Sequence, residues 1–231
     1  MLVAGPPPSV DLSSPSIPYY AVRNFIGPAA AASLSVDGVA YLALPQIAVG
    51  GDAGARLHMI CEVYVTTFSS VGDMAGQPGK RFVTLWPLED EYHAANLNNK
   101  KRSELLADDD CADAVEGYGL DTADIAIEAA RRSADKPALN GRGPFLLAWT
   151  PAEERGKDGS LALVLDLSGV DSRENIETLM AKWKRDVVQT PELWDNGWDV
   201  DRLKVAITEM LESIGPGLVA FSSWFMGEDD E

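Results

Sequence analysis

The sequence predicts an α+β fold: a mainly antiparallel sheet of about five strands covered by amphipathic helices. Three observations predict it. β-rich segments come in two blocks, each followed by helical periodicity, instead of alternating singly with helices. Short glycine-rich or charged loops join neighbouring strand segments, as hairpins require. The chain then ends in two amphipathic stripes. With 231 residues, 46% hydrophobic and 24% charged, a sizeable core is available.

The pass along the chain begins with prolines. Pro6, Pro7, Pro8, Pro15 and Pro18 fall within residues 1–18 and favour an extended arm. GVAYLALPQIAV (38–49) and ARLHMICEVYVTTF (55–68) read as strands joined through GGDAG. In the second, Leu57, Met59, Cys61, Val63 and Val65 alternate onto one face. RFVTLWPL (81–88) is the third strand, stopped by Pro87.

A helical stretch from Glu89 to about Ala107 precedes an acidic turn, DDDCAD. A second helix is expected over 122–134, capped by Asp121, with Leu120 and Ile125 spaced as a hydrophobic staple. GPFLLAWTP (143–151) and SLALVLDLS (160–168) form the next antiparallel pair across a charged loop.

Asp171 and Glu174 have capping-box spacing. They open a helix whose stripe is Ile176, Leu179, Met180, Trp183, Val187 and Val188. Asp199 caps the last helix, with Val200, Leu203, Ile207, Met210, Leu211 and Ile214 on one side and Gly215-Pro216 as its stop. Between these two helices, TPELWDNGWDV places Trp194 and Trp198 around an Asn-Gly turn. The stretch reads as a hinge whose indoles fold back on the Trp183 stripe; exposed, they would be interface anchors. The organisation expected is an arm (1–18), one α+β domain (19–226) and an acidic tail (227–231).

Composition narrows the function. Nineteen Lys and Arg against 36 Asp and Glu give a formal charge of -17, which argues against nucleic acid and anionic membrane as partners. A protein partner or self-association remains, and a purely solubilising acidic surface is the plain alternative. Cys61 and Cys111 show neither disulfide nor zinc spacing, which suggests a reducing, cytoplasmic setting. The N-terminus lacks the basic and apolar regions of a signal peptide, and no run is apolar enough to span a bilayer.

Few residues carry chemistry. On a strand, His58 and Cys61 would point to opposite faces and could not cooperate. Glu89, Asp90 and His93 would share a helix face, where carboxylates can orient an imidazole. Asp166 and Ser168 end an apolar strand, a common place for an acidic functional group. Yet Ser168 stands where a phosphatase-type pattern needs Asp, and Val170 where a metal-adhesion pattern needs Ser. GQPGKR lacks Walker spacing, GGDAG joins two strands and so is no dinucleotide loop, and no GxSxG elbow occurs. DDDCAD lacks the spaced ligands of a calcium loop. No metal or cofactor is implied.

The expectation is therefore a non-catalytic assembly or adaptor subunit. Pro6, Pro7 and Pro8 in the arm, with Trp194 and Trp198, are its interaction residues. The alternative is an enzyme or small-ligand domain with a dispersed acidic site built from Asp166, Ser168, Glu89, Asp90 and His93.

Overall fold

A computed structural model describes residues 17–47, 51–107, 109–134, 136–215 and 219–220. The proline arm with Pro6, Pro7 and Pro8, and the acidic tail, lie outside the described residues. The fold is α+β, around one seven-stranded mixed sheet in which two strands are only two residues long.

The strands are β1 (Tyr19–Ile26), β2 (Gly38–Ala43), β3 (Ser69–Ser70), β4 (Lys80–Pro87), β5 (Phe145–Trp149), β6 (Leu163–Asp166) and β7 (Val219–Ala220). The helices are α1 (Pro28–Ala32), α2 (Gly51–Thr67), α3 (Glu91–Asn99), α4 (Arg102–Ala107), α5 (Asp110–Glu116), α6 (Leu120–Arg131), α7 (Arg173–Lys182) and α8 (Val200–Ile214). The strand order is β3-β1-β4-β2-β5-β6-β7. β3, β1, β4 and β2 run parallel, and β5, β6 and β7 add antiparallel pairings.

The expectation of a mainly antiparallel sheet is thus corrected, and one segment explains why. Residues 55–68 are not a strand but most of α2, which crosses over between β2 and β3. Leu57, Ile60, Cys61, Tyr64 and Phe68 are its buried side, spaced as a helix stripe. The same stretch also carries period-two alternation, so both templates fit the text. Its length favours helix, since strands commonly run four to eight residues. GGDAG accordingly leads into and begins this helix, and is no hairpin loop.

β1 is the second correction. YYAVRNFI carries Arg23 and Asn24 within it and follows Pro18, so it does not read as a strand. It nevertheless sits inside the sheet, paired to β4 from Tyr19↔Lys80 to Ile26↔Pro87. All of β2 and Phe82 to Pro87 of β4 are buried at successive positions, so helices cover both faces, as parallel strands require.

Several local expectations hold. β5 and β6 are the antiparallel pair predicted across the charged loop. Ile176, Leu179, Met180, Trp183, Val187 and Val188 are all buried, the last three in a π-helical turn that continues α7. Asp199 caps α8 by accepting from the Arg202 N–H at 3.2 Å. Others fail. Ser172, not Asp171, caps α7. Gly119 precedes α6 without a side-chain cap, and Ile125 is 64% exposed, so no staple forms. Part of the acidic run DDDCAD is helix α5.

Cys61 and Cys111 form a disulfide joining α2 to α5. This corrects the reading of the cysteines as unpaired and removes the ground for a reducing compartment. His58 lies one turn before Cys61 on α2, so the two do share a side of the helix. Its Nε2 meets Asp109 Oδ1 at 2.5 Å, and the pair helps fasten α2 to the start of α5. Among the described residues, no helix is long and apolar enough to cross a membrane.

Candidate functional site

The structure disperses the residues expected to do chemistry. Asp90 is the N-cap of α3, its Oδ1 accepting from the His93 backbone N–H at 2.7 Å. Glu89 lies before the helix and is exposed, so the shared face with His93 does not form. The His93 ring instead lies beside Gly117, where an added Cβ would fall 2.8 Å from Nδ1.

Asp166 and Ser168 do meet, at the end of β6. Asp166 Oδ1 accepts from both the Ser168 N–H, at 2.8 Å, and the Ser168 hydroxyl. Ser168 Oγ in turn accepts from Gly143 N–H at 2.8 Å. Gly141 crosses so closely that a Cβ there would lie 2.4 Å from Asp166 Oδ2.

Arg56, from α2, closes the same loops. Its guanidinium donates to the carbonyls of Val170, Gly143 and Leu167 at 3.1, 3.0 and 2.5 Å. It also pairs with Asp171 at 2.8 Å, which Arg142 reaches from outside at 2.5 Å. Burial, then the nearby Arg142 charge, lowers the Arg56 pKa from its ordinary value. With its nitrogens committed to backbone, this cluster is a clasp between α2 and two loops. Asp166 and Ser168 are tied into one turn of it.

Trp194 and Trp198 are 1% and 8% exposed. Trp194 donates its indole N–H to Val188 O at 2.9 Å and stands edge-on to Phe82 at 5.2 Å. Trp198 is tilted against the same ring at 6.0 Å. The hinge reading therefore fits, and the exposure that an anchor pair would need is not present.

The hinge does form one wall of a cleft at the opening ends of the parallel strands. Tyr19 begins β1, Lys80 begins β4 and Asp37 immediately precedes β2, so the three converge on one edge of the sheet. A cleft of about 510 Å³ lies between Tyr19, Glu192, Asp195, Trp198 and Asp199. An adjoining hollow of about 320 Å³ shares Asp195 and adds Asp37 and Glu153.

Asp195 is the centre of this arrangement. It accepts from the Tyr19 hydroxyl at 3.0 Å through Oδ2 and pairs with Lys80 through Oδ1. Burial and the Asp195 hydrogen bond push the Tyr19 phenol above its ordinary range. The hydrogen bond to Asp195 likewise raises Lys80. Asp37 accepts from Arg81 N–H at 2.8 Å. Glu192 and Glu153 are exposed and make no ion pair among the described residues.

Tyr19, Lys80, Asp37 and Glu153 escape sequence reasoning because they come from four separate segments. The only visible signal is that Glu192, Asp195 and Asp199 crowd the tryptophan hinge. Among the described residues, no group of three or more His, Cys, Asp or Glu side chains is arranged to hold a metal. No protein-family model, curated protein or solved structure matches the chain.

Proposed function

We propose that the chain is a non-catalytic assembly or adaptor subunit that engages a protein partner. The observation that carries this reading is how the polar groups beside the hinge cleft are tied together. A lysine nucleophile or a tyrosine base needs its pKa brought down towards neutrality. Lys80 and Tyr19 are both shifted upward, and both are tied to Asp195. Such a cleft is suited to holding a ligand and poorly suited to moving a proton.

The commitment of Asp90, Asp166 and Ser168 to backbone groups supports the same reading. The arm is expected to add to this, since it directly precedes Tyr19, the first residue of β1, which lines the cleft. The test is solution mass by light scattering, for the full chain and for a version lacking residues 1–18. Higher mass for the full chain, lost on truncation, is the outcome expected of an arm that docks on neighbours. A monomer in both cases, with equal stability, would end the assembly role of the arm.

A further inference from the structure

We infer that the chain binds a free α-amino acid in the cleft between Pro28, Glu89 and the first turn of α6. The inference stands apart from the assembly reading and concerns the opposite end of the parallel strands. This cleft, of about 340 Å³, lies past the carboxyl ends of the neighbouring strands β1 and β4. Ligands of open α/β sheets commonly sit there, where the loops leave the strands. Pro28, Leu88 and Leu120 supply its apolar wall.

Its polar groups are of two kinds. Donors come from α6, a helix of 12 residues that starts after Gly119 without a side-chain cap. The N–H groups of Leu120, Asp121 and Thr122 have no acceptor among the described residues. Thr122 is an independent observation: it is 4% exposed, lines the cleft, and its hydroxyl makes no hydrogen bond among the described residues. Its oxygen is not among the unpartnered atoms sealed from solvent, so the little surface Thr122 keeps opens onto the cleft. Acceptors come from Glu89 and Asp121, which line the same cleft and whose carboxylates are unpaired among the described residues. Glu91, on the same side, is instead taken up by the N–H groups of Ala29 and Ala30 at 2.6 and 3.1 Å.

The two kinds of group decide the ligand class. An anion alone would meet the free N–H groups but also two carboxylates, in a chain of formal charge -17. A cation alone would meet the positive end of the α6 dipole. An α-amino acid carries both charges on one small body. Its carboxylate takes the α6 N–H groups and the Thr122 hydroxyl, and its ammonium takes Glu89 and Asp121.

The test is calorimetric titration of the full chain with L-alanine, beside L-lactate, which lacks the ammonium, and L-alaninamide, which lacks the carboxylate. Thr122→Val and Glu89→Gln alter the cleft, and T208V/E209Q makes the same changes on the exposed side of α8. Alanine should bind wild type and T208V/E209Q alike, and each cleft variant about tenfold more weakly. Lactate and alaninamide should bind wild type at least about tenfold more weakly than alanine does. Absence of saturable alanine heat, or unchanged affinity in either cleft variant, overturns the proposal. Lactate binding as well as alanine would make the cleft an anion site, and alaninamide doing so an acidic surface; either result also overturns it. Should Thr122→Val fail to fold, Glu89→Gln, at an exposed position, decides alone. The mass by light scattering bears on assembly and leaves the alanine result standing.

Discussion

Asn98 on α3 stands in for a missing strand beside Phe25 on β1. Its Oδ1 accepts from the Phe25 N–H at 2.9 Å, and its Nδ2 donates to the Phe25 carbonyl at 2.7 Å. β3 pairs β1 only at Val22 and Arg23, so among the described residues the far half of that edge has no strand neighbour. Asn98→Leu would leave both backbone groups unpaired, at a cost of about 2 kcal/mol. Urea unfolding should show a lower midpoint with an unchanged slope. An unaltered midpoint would mean that water replaces the amide at no cost.

The Cys61–Cys111 bridge closes a loop with a sequence separation of 50. Chain-entropy arguments give such a loop about 4 kcal/mol of stabilisation, as an upper range for a bridge without strain. Both sulfurs are buried, at 0% and 3% residue exposure, so a mild reductant should not reach them in the native state. A Cys61→Ala/Cys111→Ala variant should melt well below wild type. Equal melting temperatures would show that packing of α2 on α5 suffices alone.

The Tyr19–Asp195–Lys80 cluster predicts a loss of stability at high pH. Both Tyr19 and Lys80 titrate higher in the folded chain than their ordinary values of 10.0 and 10.5. Their protonated forms are therefore favoured by folding. The contribution is complete below those ordinary values and is lost as pH rises through the folded ones. Wild type should lose urea resistance between neutral pH and pH above about 10.5 more steeply than Asp195→Asn. Parallel pH profiles for the two proteins would contradict the linkage.

Asp166 offers a test that separates structure from chemistry. Its carboxylate holds the Ser168 N–H and hydroxyl, and Ser168 holds Gly143. Asp166→Ala should cost about 1–3 kcal/mol through those unpaired donors. A variant of normal stability that lost a ligand interaction would instead revive the dispersed acidic site.

What the sequence makes legible is local and amphipathic. The stripe from Ile176 to Val188, the Asp199 cap and the β5–β6 pair depend on neighbours close in the chain, and periodicity reports them directly. What it hides is set by distant partners. β1 is a strand because β4 and β3 pair with it, although Arg23 and Asn24 break its apolar pattern. Residues 55–68 satisfy two periods, and only the tertiary setting chooses the helix. The cleft was out of reach for the same reason: Tyr19, Asp37, Lys80, Glu153 and Asp195 meet through the sheet, not through spacing.

The placement of β1 also dictates an order of events. Of the described strands β1 is made first, and its longest pairing partner begins only at Lys80. Until Ser69 is made, Tyr19 to Ile26 has neither of these strand neighbours, and from there to Lys80 it has only the two-residue β3. Closing so long a span is slow compared with forming helices α1 and α2 along the way. Pairing of β1 with β4 therefore waits until the residues from Lys80 to Pro87 exist. A nascent chain stalled before Lys80 would carry β1 without its eight-residue partner, a form exposed to mispairing.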